Sequence, residues 1–137
     1  MKHQKNMCVF CSIIKGNIPS YHLWENKDFV AFLDIHPIKP GHILVIPKKH
    51  VDDVFDLDEK TYRDLFKTAK HLARPLKRAM KSKRIGMAIE GFGVPHVHLH
   101  LVPVNKGNEM NPTNTTSPSA TTLHAVAKKI MKELVKK

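Results

Sequence analysis

Through Pro95-His96-Val97-His98-Leu99-His100-Leu101-Val102-Pro103, histidines alternate with branched apolar residues, and at period two such a run is a strand. One face then carries His96, His98 and His100 with neighbouring rings roughly 7 Å apart, while Val97, Leu99 and Leu101 enter a core. Helical spacing would scatter the rings. Just upstream, Ile85, Met87 and Ile89 alternate with Gly86 and Ala88, so Gly91-Phe92-Gly93 turns one strand into the next. Leu23-Trp24 and Phe29 to Leu33 with Ile35 make another predicted hairpin around the turn formers Glu25-Asn26-Lys27-Asp28. After a turn at Ile38-Lys39-Pro40-Gly41, His42-Ile43-Leu44-Val45-Ile46-Pro47 is almost continuously apolar, which suits a strand at the sheet centre.

Elsewhere the pattern is helical. Cys8 to Ile14 suit a turn and a half of helix with Gly16 at its C-terminal end, and Pro19 imposes an extended exit. From Asp58, an N-cap candidate followed by Glu59, the residues Tyr62, Leu65, Phe66, Ala69, Leu72, Ala73, Leu76 and Met80 share one stripe of a long helix. Pro75 removes the hydrogen bond to His71 and should bend that helix. Its outer face carries Lys60, Arg63, Lys67, Lys70, Arg74, Lys77 and Lys81. Beyond Pro103, Asn, Thr, Ser and Pro dominate through Pro118, a loop or partly disordered arm. Leu123, Val126, Ala127, Ile130 and Leu134 then resume a helical stripe, with lysines at 128, 129, 132, 136 and 137 favouring its C-terminal end. This order predicts an α+β domain with an antiparallel sheet: a core over residues 1–104, an arm over 105–118 and a closing helix over 119–137 of the same domain.

At 137 residues the chain fits one domain with a core of its own. No stretch approaches the ~18 uninterrupted apolar residues of a membrane span. Met1 to Met7 is polar with no apolar signal region behind it, so a cytoplasmic location is expected. In that reducing compartment the C-x-x-C of Cys8 and Cys11, the only cysteines in the sequence, argues for metal or redox chemistry over a structural disulfide. The formal charge of +11 suits an anionic partner. The basic helix face lacks interleaved aromatic residues for base stacking, so it is expected to be solvated and nucleic acid is not the expected partner.

Three adjacent imidazoles depress one another's protonation, and such a cluster serves metal binding, phosphate contact or proton transfer. One catalytic metal on all three is disfavoured, because alternate positions on a flat strand spread the outer nitrogens too far. Gly91 and Gly93 either let backbone N–H groups approach a phosphate or serve only the tight turn.

The stretch from His96 to Val102 resembles the H-φ-H-φ-H-φ-φ signature of the histidine triad (HIT) family of nucleotide hydrolases and transferases. Ala31-Phe32-Leu33-Asp34 and Pro40-Gly41-His42-Ile43-Leu44-Val45-Ile46-Pro47-Lys48-Lys49-His50 also sit where that family has comparable stretches, so the resemblance runs from Cys8 through Pro103. It implies a five-stranded sheet plus helices, joined to a second copy in a homodimer, with one nucleotide site per subunit and purine preferred. It also implies His98 as the nucleophile on an α-phosphate, with His100 and His42 orienting it and contacting phosphate oxygens, and no metal in the chemistry. Phe10, Ile13, Ile18, Phe32 and Ile35 would line the nucleoside pocket, Asp34 would accept from the ribose hydroxyls, and Gly93 and Val94 would join the nucleotide-binding set. In many bacterial members two histidines complete a zinc site with a C-x-x-C. Matched here, they are His50 and His96, giving a structural zinc on Cys8, Cys11, His50 and His96. A thioredoxin-like redox pair is the alternative for the cysteines.

The chain also departs from the family's pattern. Glu90-Gly91-Phe92-Gly93-Val94-Pro95 is shorter than the family's Gly-rich loop and lacks its Gln and Ser, and Glu90 stands where Asn is common. The tail from Asn105 does not resemble the Trp-containing C-terminus of the phosphoramidase branch. The leaving group therefore does not follow from the resemblance. A regulatory module that binds nucleotide or RNA without turnover is the other class of function.

Overall fold

The structure, a computed structural model, describes residues 8–136. The readings of Met1 to Met7 and of Lys137 lie outside the described residues. The fold is the expected α+β type with a short N-terminal helix, a five-stranded antiparallel sheet, a long helix and an appended C-terminal helix. In chain order it runs α1 (Val9–Ile14), β1 (His22–Glu25), β2 (Phe29–Leu33), β3 (Ile43–Pro47), α2 (Glu59–Met80), β4 (Arg84–Ala88), β5 (Leu99–Val104) and α3 (Ala120–Leu134). The strands lie in the order β1-β2-β3-β5-β4, all antiparallel, which puts β3 in the middle as its apolar run requires.

Both faces of the sheet are covered, and the two cores divide by strand alternation. Phe29, Ala31 and Leu33 of β2, Ile43 and Val45 of β3, and Leu99 and Leu101 of β5 face α2 and α3, packing with Leu65, Leu72, Leu76 and Ile130. Val30, Phe32, Leu44 and Ile46 face the other way and pack with Phe10, Cys8 and Cys11 of the α1 segment. The sheet therefore has a thick structural side and a thin side roofed by one short helix. The histidines of the 96–100 stretch face the thin side, because Val97, Leu99 and Leu101 belong to the thick core.

Local signals settle the ends. The Asp58 side chain accepts from the Thr61 N–H and caps α2, which runs unbroken through Pro75. The Asn26 side chain accepts from the N–H groups of Asp28 and Phe29 and shapes the β1–β2 turn. All seven basic residues assigned to the outer face of α2 are exposed. The 105–118 segment is an ordered loop: Glu109 pairs with Lys39 at 2.8 Å, and both the N–H and hydroxyl of Thr116 donate to the Pro37 carbonyl at 3.0 Å.

One expectation needs correction. The histidine strand starts at Leu99 and not at Pro95, so of the three histidines only His100 sits on a ladder. Pairing with β3 ends at Val45 opposite Leu99, and the preceding backbone finds other partners. The Val97 N–H donates to the Val51 carbonyl at 2.8 Å, and the His96 N–H donates to the Val94 carbonyl at 2.8 Å. The inward-outward alternation nevertheless survives, with Val97, Leu99 and Leu101 all in the thick core.

Candidate active site and metal cluster

Two clusters form on the thin side. The first joins α1 to the sheet. Cys8 is the N-cap of α1, its Sγ accepting from the Cys11 N–H, and both thiols lie beside His50 and His96. Cys8 Sγ lies 3.4 Å and Cys11 Sγ 3.5 Å from Nδ1 of His96, Cys11 Sγ lies 3.1 Å from Nδ1 of His50, and the two Nδ1 atoms are 3.2 Å apart. All four ligand atoms lie within 4.8 Å of one another. His96 is completely buried, and its Nε2 meets the Pro47 carbonyl at 2.8 Å. A carbonyl can only accept, so the proton sits on Nε2 and the Nδ1 lone pair points into the cluster. Burial holds His96 below the usual histidine pKa, partly opposed by the Pro47 bond and reinforced by His50 and His98. Converging soft and imidazole donors with one tautomer fixed by an outer hydrogen bond are what a divalent cation requires.

The second cluster holds the other histidines. His98 Nδ1 lies 2.8 Å from the His96 carbonyl, so this nitrogen carries the proton and Nε2 keeps its lone pair. The Ile38 N–H donates to Nδ1 of His42 at 3.1 Å, which puts the His42 proton on Nε2. That Nε2–H donates to Nδ1 of His100 at 2.9 Å, leaving neutral His100 with its proton on Nε2. Two adjacent rings, 5.1 Å apart at their centroids, thus present opposite groups: a lone pair on His98 and an N–H on His100. Burial, then the proximity of His42 and His98, pushes His100 down to about 4, with Asp34 opposing. His42, 2% exposed, is lowered by burial against the same carboxylate, whose Oδ2 stands 3.6 Å from its Nε2. Asp34, His42 and His100 also bring potential ligand atoms within 4.8 Å. Their nitrogens are already joined donor to acceptor, so they need no cation.

A cavity of about 450 Å³ opens over His98 and His100. Phe10, Ile13, Ile18, Phe32, Asp34, Ile35 and Val94, residues that the family resemblance implies for a nucleotide site, all line it. Gly93 and His42 do not line it; His42 lies behind His100. Phe10 packs edge-on against Phe32 at 5.5 Å and His98 at 5.3 Å, tying the apolar wall to the histidine. The expected spread of three rings over one strand face gives way to a division of labour, with His96 turned to the thiols. They do not converge on one ion.

The HIT domain family matches residues 15–107 of this sequence. The chain belongs to the HIT family. Its relatives include an uncharacterised HIT-like protein of Mycoplasma genitalium, 39% identical over 85% of this chain and 89% of that protein. The adenosine 5'-monophosphoramidase HNT1 of Saccharomyces cerevisiae is 41% identical over 70% of this chain and 61% of its own length. Among solved structures, a Zn-bound histidine triad family protein from Mycobacterium smegmatis superposes with a TM-score of 0.83 at 28% identity, over 95% of this chain and 94% of that one. Family, fold and histidine cluster together support HIT-type catalysis in general. The two cysteines precede the matched span, so the Cys–His cluster joins residues inside that span to residues outside it.

Several cavity residues escaped sequence reasoning. Val9, Pro19, Ser20, Leu33, His36, Leu44 and Phe92 also line it. The signal for Phe92 was present, a large apolar residue between two glycines in a turn; Ser20 and His36 carried none.

Proposed function

We propose that the protein is a nucleotide hydrolase or transferase that cleaves the bond from an α-phosphate to its leaving group in nucleoside phosphoramidates, anhydrides or esters. The carrying observation is the tautomer of His98, whose Nδ1–H is spent on the His96 carbonyl so that Nε2 keeps its lone pair on a ring that lines the cavity. In this reading Nε2 forms a bond to phosphorus while the bond to the leaving group breaks. The electron pair departs with the leaving atom, which takes a proton from the His42–His100 pair. Water then attacks the same phosphorus, returns a proton to the pair, and the N–P electrons go back to His98. The Nε2–H of His100 donates to a phosphate oxygen where negative charge gathers. Asp34 accepts from the ribose hydroxyls through Oδ2, since Oδ1 already accepts from the His36 N–H at 2.8 Å. Phe10, Ile13, Ile18, Phe32 and Ile35 form the apolar wall for a purine base. Val94 lines the same cavity from the β4–β5 loop, beside the phosphate; Gly93, outside the lining, makes no contact in this reading.

Zinc is the proposed occupant of the first cluster. Ligand distances of about 2.3 Å to sulfur and 2.0–2.1 Å to nitrogen give tetrahedral edges of about 3.5 Å between sulfur and nitrogen and about 3.4 Å between nitrogens. The distances of 3.1–3.5 Å and 3.2 Å fall close to these. The ion would tie α1 to the sheet and take no part in phosphoryl transfer, in a reducing compartment that keeps the thiols as ligands. A homodimer through the edge strand β4 completes the reading, supported by the position of β4 at the sheet edge and by Met87, which is half exposed on it.

A panel of adenosine and guanosine phosphoramidates, dinucleoside polyphosphates and nucleotide sugars tests the activity. Turnover of one class is expected. Tight nucleotide or RNA binding with no turnover of any member would favour a regulatory binding module, and neither binding nor turnover would end the assignment.

A further inference from the structure

Thr116 lies beyond residues 15–107, the span that the family matches, and outside the cavity, yet it reaches the histidines from behind. Its N–H and its hydroxyl both donate to the Pro37 carbonyl at 3.0 Å. Pro37 is buried, so that carbonyl needs partners inside the fold. The same peptide group carries the Ile38 N–H, which donates to Nδ1 of His42 at 3.1 Å. The peptide is trans, so its two polar groups point opposite ways, the carbonyl to Thr116 and the N–H to His42.

This one peptide decides a chain of protons. With the N–H toward His42, Nδ1 accepts, the ring's proton stands on Nε2 and is donated to Nδ1 of His100 at 2.9 Å, and His100 keeps its own proton on Nε2. Turned over, the peptide would set a carbonyl against Nδ1 of His42. The proton would then have to move to Nδ1, and Nε2 would bring a lone pair against the lone pair of His100. His100 could relieve that clash only by moving its proton inward, which leaves a lone pair where it now presents an N–H. Turning a peptide plane changes little more than ψ of Pro37 and φ of Ile38, a soft motion, and the two donors of Thr116 oppose it.

The segment that carries Thr116 is anchored around this loop. Glu109 pairs with Lys39 at 2.8 Å, and Ser117 Oγ lies 3.4 Å from Nδ1 of His36. Pro37 and His42 share a cavity of only about 60 Å³ with Leu123 and Val126 of α3, so the loop has little room to shift. We propose that Thr116 is a positioning residue for the His42–His100 pair, holding the Pro37–Ile38 peptide in the orientation that leaves the Nε2–H of His100 for the substrate; this rests on that pair being the proton donor of the reaction proposed above.

The test joins kinetics to the imidazole 15N spectrum, in which protonated and bare ring nitrogens resonate far apart. Turnover is measured on the best substrate of the panel above, and affinity on adenosine 5'-monophosphate. Wild type should show Nδ1 bare and Nε2 protonated in both His42 and His100. Thr116→Val keeps the shape and removes the hydroxyl. It should cut kcat about fivefold, the size of one hydrogen bond, leave Kd within about twofold, and move part of the His42 proton from Nε2 to Nδ1. Thr116→Ser restores the hydroxyl and should return kcat and spectrum to those of wild type. Thr116 is exposed, so equal melting temperatures are expected for all three proteins. An unchanged kcat or an unchanged His42 spectrum in Thr116→Val, or no rescue by Thr116→Ser, would overturn the inference while leaving the hydrolase reading in place. No turnover by wild type would overturn the hydrolase reading, and the His42 spectrum of Thr116→Val would still uphold the inference if shifted and overturn it if not.

Discussion

His96 and His98 are two residues apart, yet they belong to clusters of opposite chemistry. Around His96, unshared pairs from sulfur and nitrogen converge on one point, and the proton that might have satisfied Nδ1 is held on the far side of the ring by Pro47. Around His98 and His100 the rings are joined donor to acceptor, so each nitrogen pointing into the protein is satisfied within it. What remains faces the cavity. The difference teaches that histidine alternation specifies only which side a ring takes. A backbone carbonyl holds one N–H of each ring, and the surroundings of the other nitrogen, two thiols and His50 for His96 and the cavity for His98, set the two apart. The clusters are also coupled, because the backbone carbonyl of His96 is the group that sets the tautomer of His98.

The comparison breaks most sharply at His98. His98→Ala should lower turnover by several orders of magnitude while nucleotide affinity changes little, since no proposed ribose or base contact is lost. Steady-state kcat and equilibrium Kd on the same preparation check it. Cys8→Ser should do the reverse in kind, releasing zinc and lowering the melting temperature by roughly 10 °C, the size expected for a few kcal/mol in a domain of this length, with the nucleophile still in place. Metal-free wild-type protein of unchanged stability would remove the structural role from the first cluster. A smaller effect should sharpen the boundary between binding and chemistry. Asp34→Ala removes a charged acceptor for the ribose and should weaken nucleotide binding by about 2 kcal/mol, read by calorimetry. A loss of kcat as large as that of His98→Ala would instead place Asp34 in the proton chain behind His42.

Much of this was legible in the sequence where a local rule applies. Period-two and 3.6 patterns located the strands and α2, Asp58 signalled its cap, and the C-x-x-C announced a cluster. What failed was set by long-range geometry. The start of β5 depends on where β3 stops offering partners, and Val51 takes over the Val97 N–H, a contact with no local signature. The 105–118 segment reads as a polar arm, but Glu109 and Thr116 order it through Lys39 and Pro37, some seventy to eighty positions away. Tautomers were out of reach too, because each depends on one carbonyl or N–H brought close only by the fold. The pairing of His50 and His96 with the thiols came from family likeness and not from spacing.

The central claim is that His98 alone bonds to phosphorus. A substrate radiolabelled at the α-phosphate, mixed with excess protein and quenched in a single turnover, tests it through the acid-labile label retained on the chain. Wild type should carry label that is stable to alkali, Cys8→Ser should still form it, His100→Asn should form it and hold it longer, and His98→Ala should carry none. Label that survives in His98→Ala, or that disappears in His100→Asn while His98→Ala keeps near-normal turnover, would contradict the account.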